Sequence, residues 1–381
     1  MSKNLILTIK RTMQRFSKIS LLKYFFLSLV VTAALFVIIE MLYFQTKDSL
    51  KHAKVIQNSY DINHHLLTSD KNTIANTTYN KDSLSYVIFD SVKRDCNIIY
   101  STLIIITSHV RHVNRRNRIR QTWGNESKWN SKEKYITVFV VGRISDSDIM
   151  MNIAEEAKLW RDIILVNILE DFYTLAKKVI IGLIWANHNI KYKLILKGDD
   201  DIYINIINVL AFVKENDIED AYIGNKIENA LVSRSGRYKV TKEEYEIDTY
   251  DSYCSGGGYF LSASSVEKMI PLFDLNHVFR IDDAYIGKIA LKAGIFASQG
   301  KGFYMDNASC SYMKDIIVSH PADNIGCISF LFRRFLIDSN KLPKSWSEKQ
   351  FEKKQCYEAN SLCLKSKKKR PNETRSSKKR H

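Results

Sequence analysis

The chain has 381 residues, 45% hydrophobic and 26% charged, with only four prolines and fourteen glycines. That length can bury a full core, and that composition excludes a collagen-like, low-complexity or wholly disordered chain. The formal net charge of +16 raises the question of nucleic acid, but the charge is confined to the ends: residues 1–23 hold six Lys/Arg and no acid, and residues 365–381 hold nine Lys/Arg and one Glu. The segment between them is close to neutral, so a basic nucleic-acid channel and a nucleic-acid partner are not expected.

Residues 24–44, "YFFLSLVVTAALFVIIEMLYF", make an apolar run of about 20 residues, long enough to cross a bilayer as a helix. Lys3, Lys10, Arg11, Arg15, Lys18 and Lys23 precede it, against Lys47, Lys51 and Lys54 just after. The positive-inside rule then makes residues 1–23 a cytosolic tail and puts residues 45–381 across the membrane. A cleaved signal peptide fits less well, because the run is too long and no A-x-A site closes it. The expectation is a single-pass signal anchor of type II orientation. Sequons at Asn76, Asn125, Asn307 and Asn372, and six cysteines (Cys96, Cys254, Cys310, Cys327, Cys356, Cys363), all lie beyond the anchor, in keeping with an oxidising lumen.

Residues 45–95 are polar with weak periodicity and read as a stem; residues 96–350 are expected to hold the folded catalytic domain and 351–381 a basic tail. Within 96–350, "IIYSTLIIITS" (98–108), "KYITVFVVG" (134–142), "DIILVNI" (162–168) and "YKLILKGDD" (192–200) are apolar runs of strand length. Helical spacing separates the last two, over "YTLAKKVIIGLIWANHN" (173–189). Continuous apolar strands alternating with helices predict an α/β fold with a mostly parallel sheet covered on both faces. Ligands in such sheets bind beyond the carboxyl ends of the strands.

"LILKGDDDIYIN" (194–205) ends one of those strands in three carboxylates. In extended chain Asp199 and Asp201 point the same way, and two such carboxylates suit a hard divalent cation with positions left open for phosphate. A solvated acidic turn is the alternative, although it needs neither the buried strand before it nor the apolar residues after it. A nucleotide-sugar enzyme and a two-metal nuclease both use such groups; the neutral centre of the chain disfavours the second. "IDDAYIGKIALKAG" (281–294) offers Asp282 and Asp283 at a helix start, where an acid either caps the helix or serves as a general base. In "YCSGGGYFLS" (253–262), Gly256, Gly257 and Gly258 let a backbone approach a ligand or adopt positive φ. Tyr253 and Tyr259 flank them as stacking candidates, and a plain tight turn is the other reading.

Taken in order, "RNRIRQTWG" (116–124), "FVVG" (139–142), "KGDDDIYIN", "YCSGGGYFLS" and "IDDAYIG" resemble the motifs of the β-1,3-glycosyltransferases, the galactosyl- and N-acetylglucosaminyltransferases of glycosyltransferase family 31. The likeness runs from about residue 98 to 320. It implies a Golgi membrane protein with a GT-A nucleotide-sugar-binding fold behind its transmembrane helix, a UDP-sugar donor, Mn²⁺, and inversion at the anomeric carbon. The acceptor would be a sugar on a glycoprotein or glycolipid. The resemblance further implies that Asp201 and His320 hold the metal, that Asp199 and Asp200 contact the nucleotide and its ribose, and that Asp283 is the catalytic base. Asp282, Tyr253, Tyr259 and the three glycines are assigned to substrate binding. Arg116 and Arg120, from the R-x-x-I-R-x-T-W pattern, are assigned to the nucleotide or to bracing the fold around Trp123. The expected reaction moves galactose from UDP-galactose to a 3-hydroxyl, with UDP-GlcNAc as the alternative donor and a non-catalytic sugar-binding relative as the alternative class.

The chain departs from the family pattern at several points. "FYTLAKK" (172–178) replaces a Y-x-N-L-T-x-K segment and retains only Leu175 and Lys178, Tyr238 stands where relatives often carry Trp, and no proline precedes the glycine segment. None of these removes a catalytic carboxylate, but they leave the acceptor open. The basic tail after Pro371 reads as a solvated extension or an electrostatic hold on acidic glycans or lipid headgroups.

Overall fold

The structure, a computed structural model, describes residues 84–129, 132–216, 218–322 and 325–341. The anchor expected at 24–44, most of the stem and the basic tail lie outside the described residues. Among the described helices none is long and apolar enough to cross a membrane. In chain order the elements are β1 (Val87–Asp90), β2 (Tyr100–Ser108), α1 (Val113–Gln121), β3 (Tyr135–Arg143), α2 (Ser147–Trp160), β4 (Ile163–Leu169), α3 (Leu175–Asn189), β5 (Tyr192–Asp199) and β6 (Tyr203–Ile204). There follow α4 (Ile206–Glu215), β7 (Tyr222–Ile227), β8 (Tyr253–Ser262), α5 (Ala263–Met269), α6 (Asp282–Lys292), β9 (Ala297–Gln299), β10 (Phe303–Tyr304), β11 (Val318–Ser319) and α7 (Ile325–Asp338).

Eight strands form one mixed sheet in the order β1-β4-β3-β2-β5-β8-β7-β9. β2 runs parallel to β3 and β5, β3 to β4, and β7 to β9, while β1, β8 and the β7–β8 pair are antiparallel. The four apolar runs expected to be strands are strands. Their side chains alternate between two cores: Leu103 and Ile105 of β2 face one, Ile104 and Ile106 the other, as a two-residue period demands when both faces are covered. α3, α5 and α6 bury their apolar stripes on the first face, through residues such as Trp185, Val266 and Ile286. α1, α2, α4 and α7 cover the second, with Ile119, Ile153, Val209 and Leu331. Asp146, Asn205 and Ser262 start α2, α4 and α5 by accepting backbone N–H groups, which explains why those helices begin where they do.

Two expectations change. Residues 87–90, assigned to the stem, form the edge strand, with Phe89 opposite Leu165; the boundary expected at 96 therefore falls inside the folded unit. "YCSGGGYFLS", read as a loop, is strand β8, inside the sheet between β5 and β7. Its Gly258 pairs with Gly198, and none of Gly256, Gly257 and Gly258 has positive φ. A Cβ at Gly258 would lie 2.8 Å from a Val318 methyl carbon, so the missing side chain lets β11 pack over the sheet.

A second, three-stranded sheet joins β10, β11 and β6. Val318 pairs with Ile204 and Ser319 with Tyr203, and the Ala322 N–H donates to the Asp201 carbonyl at 2.6 Å. This small sheet fastens the chain around His320 to the segment that follows the three aspartates. A disulfide links Cys310 to Cys327 in the same corner. Asn307 is buried there, its amide nitrogen donating to the Ser311 carbonyl and the Ser319 hydroxyl at 2.8 Å each, so this sequon offers no free amide to a glycan.

Candidate active site

The parallel register of β2 and β5 sets Thr107 opposite Asp199 at the carboxyl edge of the sheet, and here a cleft of about 820 Å³ opens. Asp199, Asp200, Asp201, Gly256, Asp283 and His320 all line it. The three aspartates have different surroundings. Asp199 accepts from the Thr107 hydroxyl at 2.6 Å and from Lys197 Nζ at 3.2 Å. Asp200 is buried and accepts from Ser108 Oγ at 2.7 Å, His112 Nδ1 at 2.8 Å and Arg115 Nη1 at 2.8 Å. Burial pushes its carboxyl up, but those donors outweigh it and hold Asp200 below the usual carboxylate range.

Asp201 is the one left partly unmatched. Arg115 stands 3.3 Å from its Oδ2, while its buried Oδ1 lacks a hydrogen-bond partner and lies 3.7 Å from His320 Nε2. Burial and the neighbouring Asp199 push the Asp201 carboxyl up to about 6. Three adjacent acids are thus tolerated because two are matched by donors and the third resists ionising.

Opposite them, Asp283 sits in the first turn of α6. Its Oδ2 accepts the Gly256 N–H at 3.0 Å and its Oδ1 the Ala284 N–H at 2.8 Å. Burial and the adjacent Asp282 push Asp283 up to about 7, where a carboxyl exchanges protons near neutral pH. The N-cap residue of α6 is Ile281, which has no capping side chain; neither aspartate occupies the cap itself. Asp282 instead accepts from Lys197 Nζ at 3.1 Å.

Lys197 organises the site. Fully buried within β5, its ammonium donates to Asp199, to Asp282 and to the Gly256 carbonyl at 2.9 Å. Burial works against its charge, and Asp199 and Asp282 more than offset that, holding Lys197 well above the ordinary lysine range. One cation therefore ties the triple-aspartate strand, the glycine strand and the start of α6 together. Lys178 does similar work at the edge, donating to Glu170 and to the Ser108 carbonyl at 2.9 Å each.

The assigned residues divide. Asp199, Asp200, Asp201, Asp282, Asp283, His320, Tyr253, Gly256 and Gly257 meet in the cleft, whereas Gly258 and Tyr259 do not line it. Tyr259 is buried in the sheet edge-on to Tyr222, at 5.4 Å between ring centres, with the Lys197 ammonium 5.7 Å from its own centre; it cannot stack on a ligand. Arg116 and Arg120 do not reach the cleft. Arg116 is buried against Glu156 at 2.7 Å and the Val110 carbonyl at 3.1 Å, and Arg120 spans Glu156 and Asp162 at 2.7 Å each. Bracing is their role. Lys197, His112 and Arg115 were not singled out by sequence reasoning, although a lysine inside a buried strand beside three acids is a signal for an internal ion cluster.

A sequence model of the galactosyltransferase family matches residues 114–300. Human β-1,3-galactosyltransferase 1 is 27% identical over 266 residues, covering 67% of this chain and 81% of that protein. The chain belongs to the galactosyltransferase family. As a member of that family it is a hexosyltransferase. Human N-acetyllactosaminide β-1,3-N-acetylglucosaminyltransferase 4 is 30% identical over 205 residues, covering 53% of this chain and 54% of that one. A solved galactosyltransferase in complex with donor and acceptor sugar analogues covers 65% of this galactosyltransferase-family chain at 13% identity, with a TM-score of 0.36, too distant to bear on fold or site.

Proposed function

We propose that this hexosyltransferase moves galactose from UDP-galactose to the 3-hydroxyl of an acceptor sugar on a glycoprotein or glycolipid, forming a β-1,3 linkage with inversion, in a GT-A-type fold anchored in the Golgi membrane with its catalytic domain in the lumen. The observation that carries the reading is Asp283: a buried carboxyl pushed up to about 7, in one cleft with the three aspartates and fixed by the Gly256 N–H. Such a group can take the proton of the acceptor hydroxyl as its oxygen attacks the anomeric carbon and the bond to UDP breaks on the opposite face. Lys197 holds Asp282 and Asp199 in place around that centre.

The donor set fits Mn²⁺. Asp201 supplies an unmatched carboxylate oxygen and His320 an imidazole nitrogen 3.7 Å from it, a pair of donors that suits a first-row divalent ion. Among the described residues no group of three or more His, Cys, Asp or Glu side chains is placed to hold a metal, so further ligands would have to come from diphosphate oxygens and water. When bound, Mn²⁺ would act as a Lewis acid on the departing diphosphate. Asp199 and Asp200 are assigned to the nucleotide. Galactose as donor is supported by the family match and by relatives named β-1,3-galactosyltransferase 1; the β-1,3-N-acetylglucosaminyltransferase relatives support UDP-GlcNAc as the second reading.

UDP release by the purified protein, screened over UDP-Gal, UDP-GlcNAc, UDP-GalNAc and UDP-Glc with Mn²⁺ or EDTA and with acceptors ending in GlcNAc, Gal or GalNAc, tests this. The expected result is turnover with UDP-Gal that EDTA abolishes. Turnover with UDP-GlcNAc alone would replace the donor, and tight donor binding without turnover on any acceptor would favour the sugar-binding class.

A further inference from the structure

The same cleft has a corner of a different character. Phe172 and Tyr238 meet edge to face, 5.5 Å between ring centres, and both line the cleft. Tyr238 is 56% exposed, far more than a pair placed only for packing would leave open. The Arg237 guanidinium lies 4.5 Å from the centre of the Phe172 ring and lines the cleft as well. The other arginine lining the cleft, Arg115, is taken up by Asp200 and Asp201, whereas Arg237 has no acid within ion-pair distance among the described residues. Asp171, which precedes Phe172 and also lines the cleft, accepts the Tyr173 N–H at 2.7 Å.

The segment that presents Arg237 and Tyr238 is built, not loose. Arg234 donates to the carbonyls of Val240, Thr241, Tyr245 and Ile247 at 2.7–3.1 Å and to Asp248 at 3.0 Å. Beneath it Tyr245, Tyr250 and Phe279 pack ring on ring, and Tyr250 continues to Tyr253 in the cleft wall. An exposed aromatic surface on a fixed support carries little ordering cost on binding. Sugar rings present an apolar face of C–H groups to such surfaces, and a guanidinium without a counter-charge favours an anionic oxygen group beside them.

We propose that Phe172, Tyr238 and Arg237 form the acceptor subsite, taking the apolar face of a hexopyranose ring that carries a carboxylate or sulfate; this rests on the transferase reading above. Phe172 and Tyr238 are two of the positions at which the chain departs from its family's motifs, so the departures gather at the face that selects the acceptor.

The test uses the full chain in detergent micelles, loaded with UDP and Mn²⁺, on an array of immobilised glycans in matched neutral, sulfated and uronic-acid forms, with UDP affinity measured in parallel by calorimetry. Wild type retains acidic glycans over neutral ones. Tyr238→Ala and Phe172→Ala each weaken glycan retention about tenfold, the worth of one good aromatic contact, and Tyr238→Trp restores it. Arg237→Gln removes the preference for acidic glycans, and UDP affinity is unchanged throughout. Aromatic variants that bind like wild type, a charge preference that survives Arg237→Gln, or no glycan retained by UDP-loaded wild type would each overturn the subsite. Failure of UDP to bind wild type at all would sink the transferase reading and the subsite with it.

Discussion

At the aspartate end of the cleft most of the charged groups, Asp201 excepted, are matched in advance: Asp199 by Thr107 and Lys197, Asp200 by Ser108, His112 and Arg115, Asp282 by Lys197. At the Phe172–Tyr238 corner Tyr238 is open to solvent, Phe172 is half-buried and Arg237 lacks an acid partner among the described residues. The first arrangement is what transition-state electrostatics needs, since dipoles and charges already in place cost no reorganisation during reaction. The second suits recognition of a partner that varies. The donor end is therefore expected to fail sharply when altered, and the acceptor end to fail selectively.

The largest effect is expected at Asp283. Asp283→Asn keeps the shape and removes the base, so kcat should fall by about 10²- to 10⁴-fold with donor affinity unchanged. The wild-type pH profile supplies the control. With the carboxyl pushed up to about 7, the proton-free form grows as pH rises from 6 to 8; kcat/KM should climb over that window and level above it, and the residual rate of the variant should stay flat. Stability should move the other way. The folded pKa lies above the unfolded value of about 3.9, so folding favours the protonated group and stability drops as pH rises from about 4 to 7. Asp283→Asn should then melt higher than wild type at pH 8, a trade of stability for function. A variant that retains full turnover would remove Asp283 from the chemistry.

Lys197→Met comes next. It leaves Asp199 and Asp282 without their shared cation inside the protein, and removing one partner of a buried ion pair costs about 3–5 kcal/mol. Urea denaturation should register most of that loss, with activity falling in parallel. Arg237→Gln, on exposed surface, should leave the urea midpoint where it was. Equal midpoints for Lys197→Met and wild type would contradict the central position given to Lys197.

Much of this was legible in the sequence, for reasons that the residues make plain. β2, β3, β4 and β5 are long β-branched runs whose both faces are buried, so no partner had to be known to recognise them. Asp199 to Asp201 were visible because three acids behind such a run require an explanation. β8 was misread because three successive glycines signal a turn locally; the sheet on either side and the Val318 side chain above override that preference. Arg116 and Arg120 looked like nucleotide contacts because their acids, Glu156 and Asp162, lie on distant segments. For the same reason no spacing could reveal that Asp171, Arg234 and Tyr238 shape one corner.

The smallest and sharpest contrast separates two neighbouring glycines on the same strand. A Cβ at Gly257 would fall 2.8 Å from His320 Cγ and 2.9 Å from Met305 Sδ. Met305 can swing away, but the His320 N–H donates to the Tyr304 carbonyl at 2.8 Å and Ser319 before it pairs with Tyr203 and Tyr304, so the imidazole must shift relative to Asp201. Gly257→Ala should weaken Mn²⁺ affinity by about tenfold, the scale of a disturbed ligand orientation. At Gly256 the added carbon would sit 3.4 Å from Asp283 Cβ and Oδ2, an ordinary contact that leaves the N–H free to hold Asp283. Gly256→Ala should therefore keep kcat within about twofold of wild type and leave Mn²⁺ dependence alone. Both follow from one Mn²⁺ titration of UDP release in each variant. If the two alanines instead behaved alike, the cleft would not distinguish a metal side from a base side as its geometry requires.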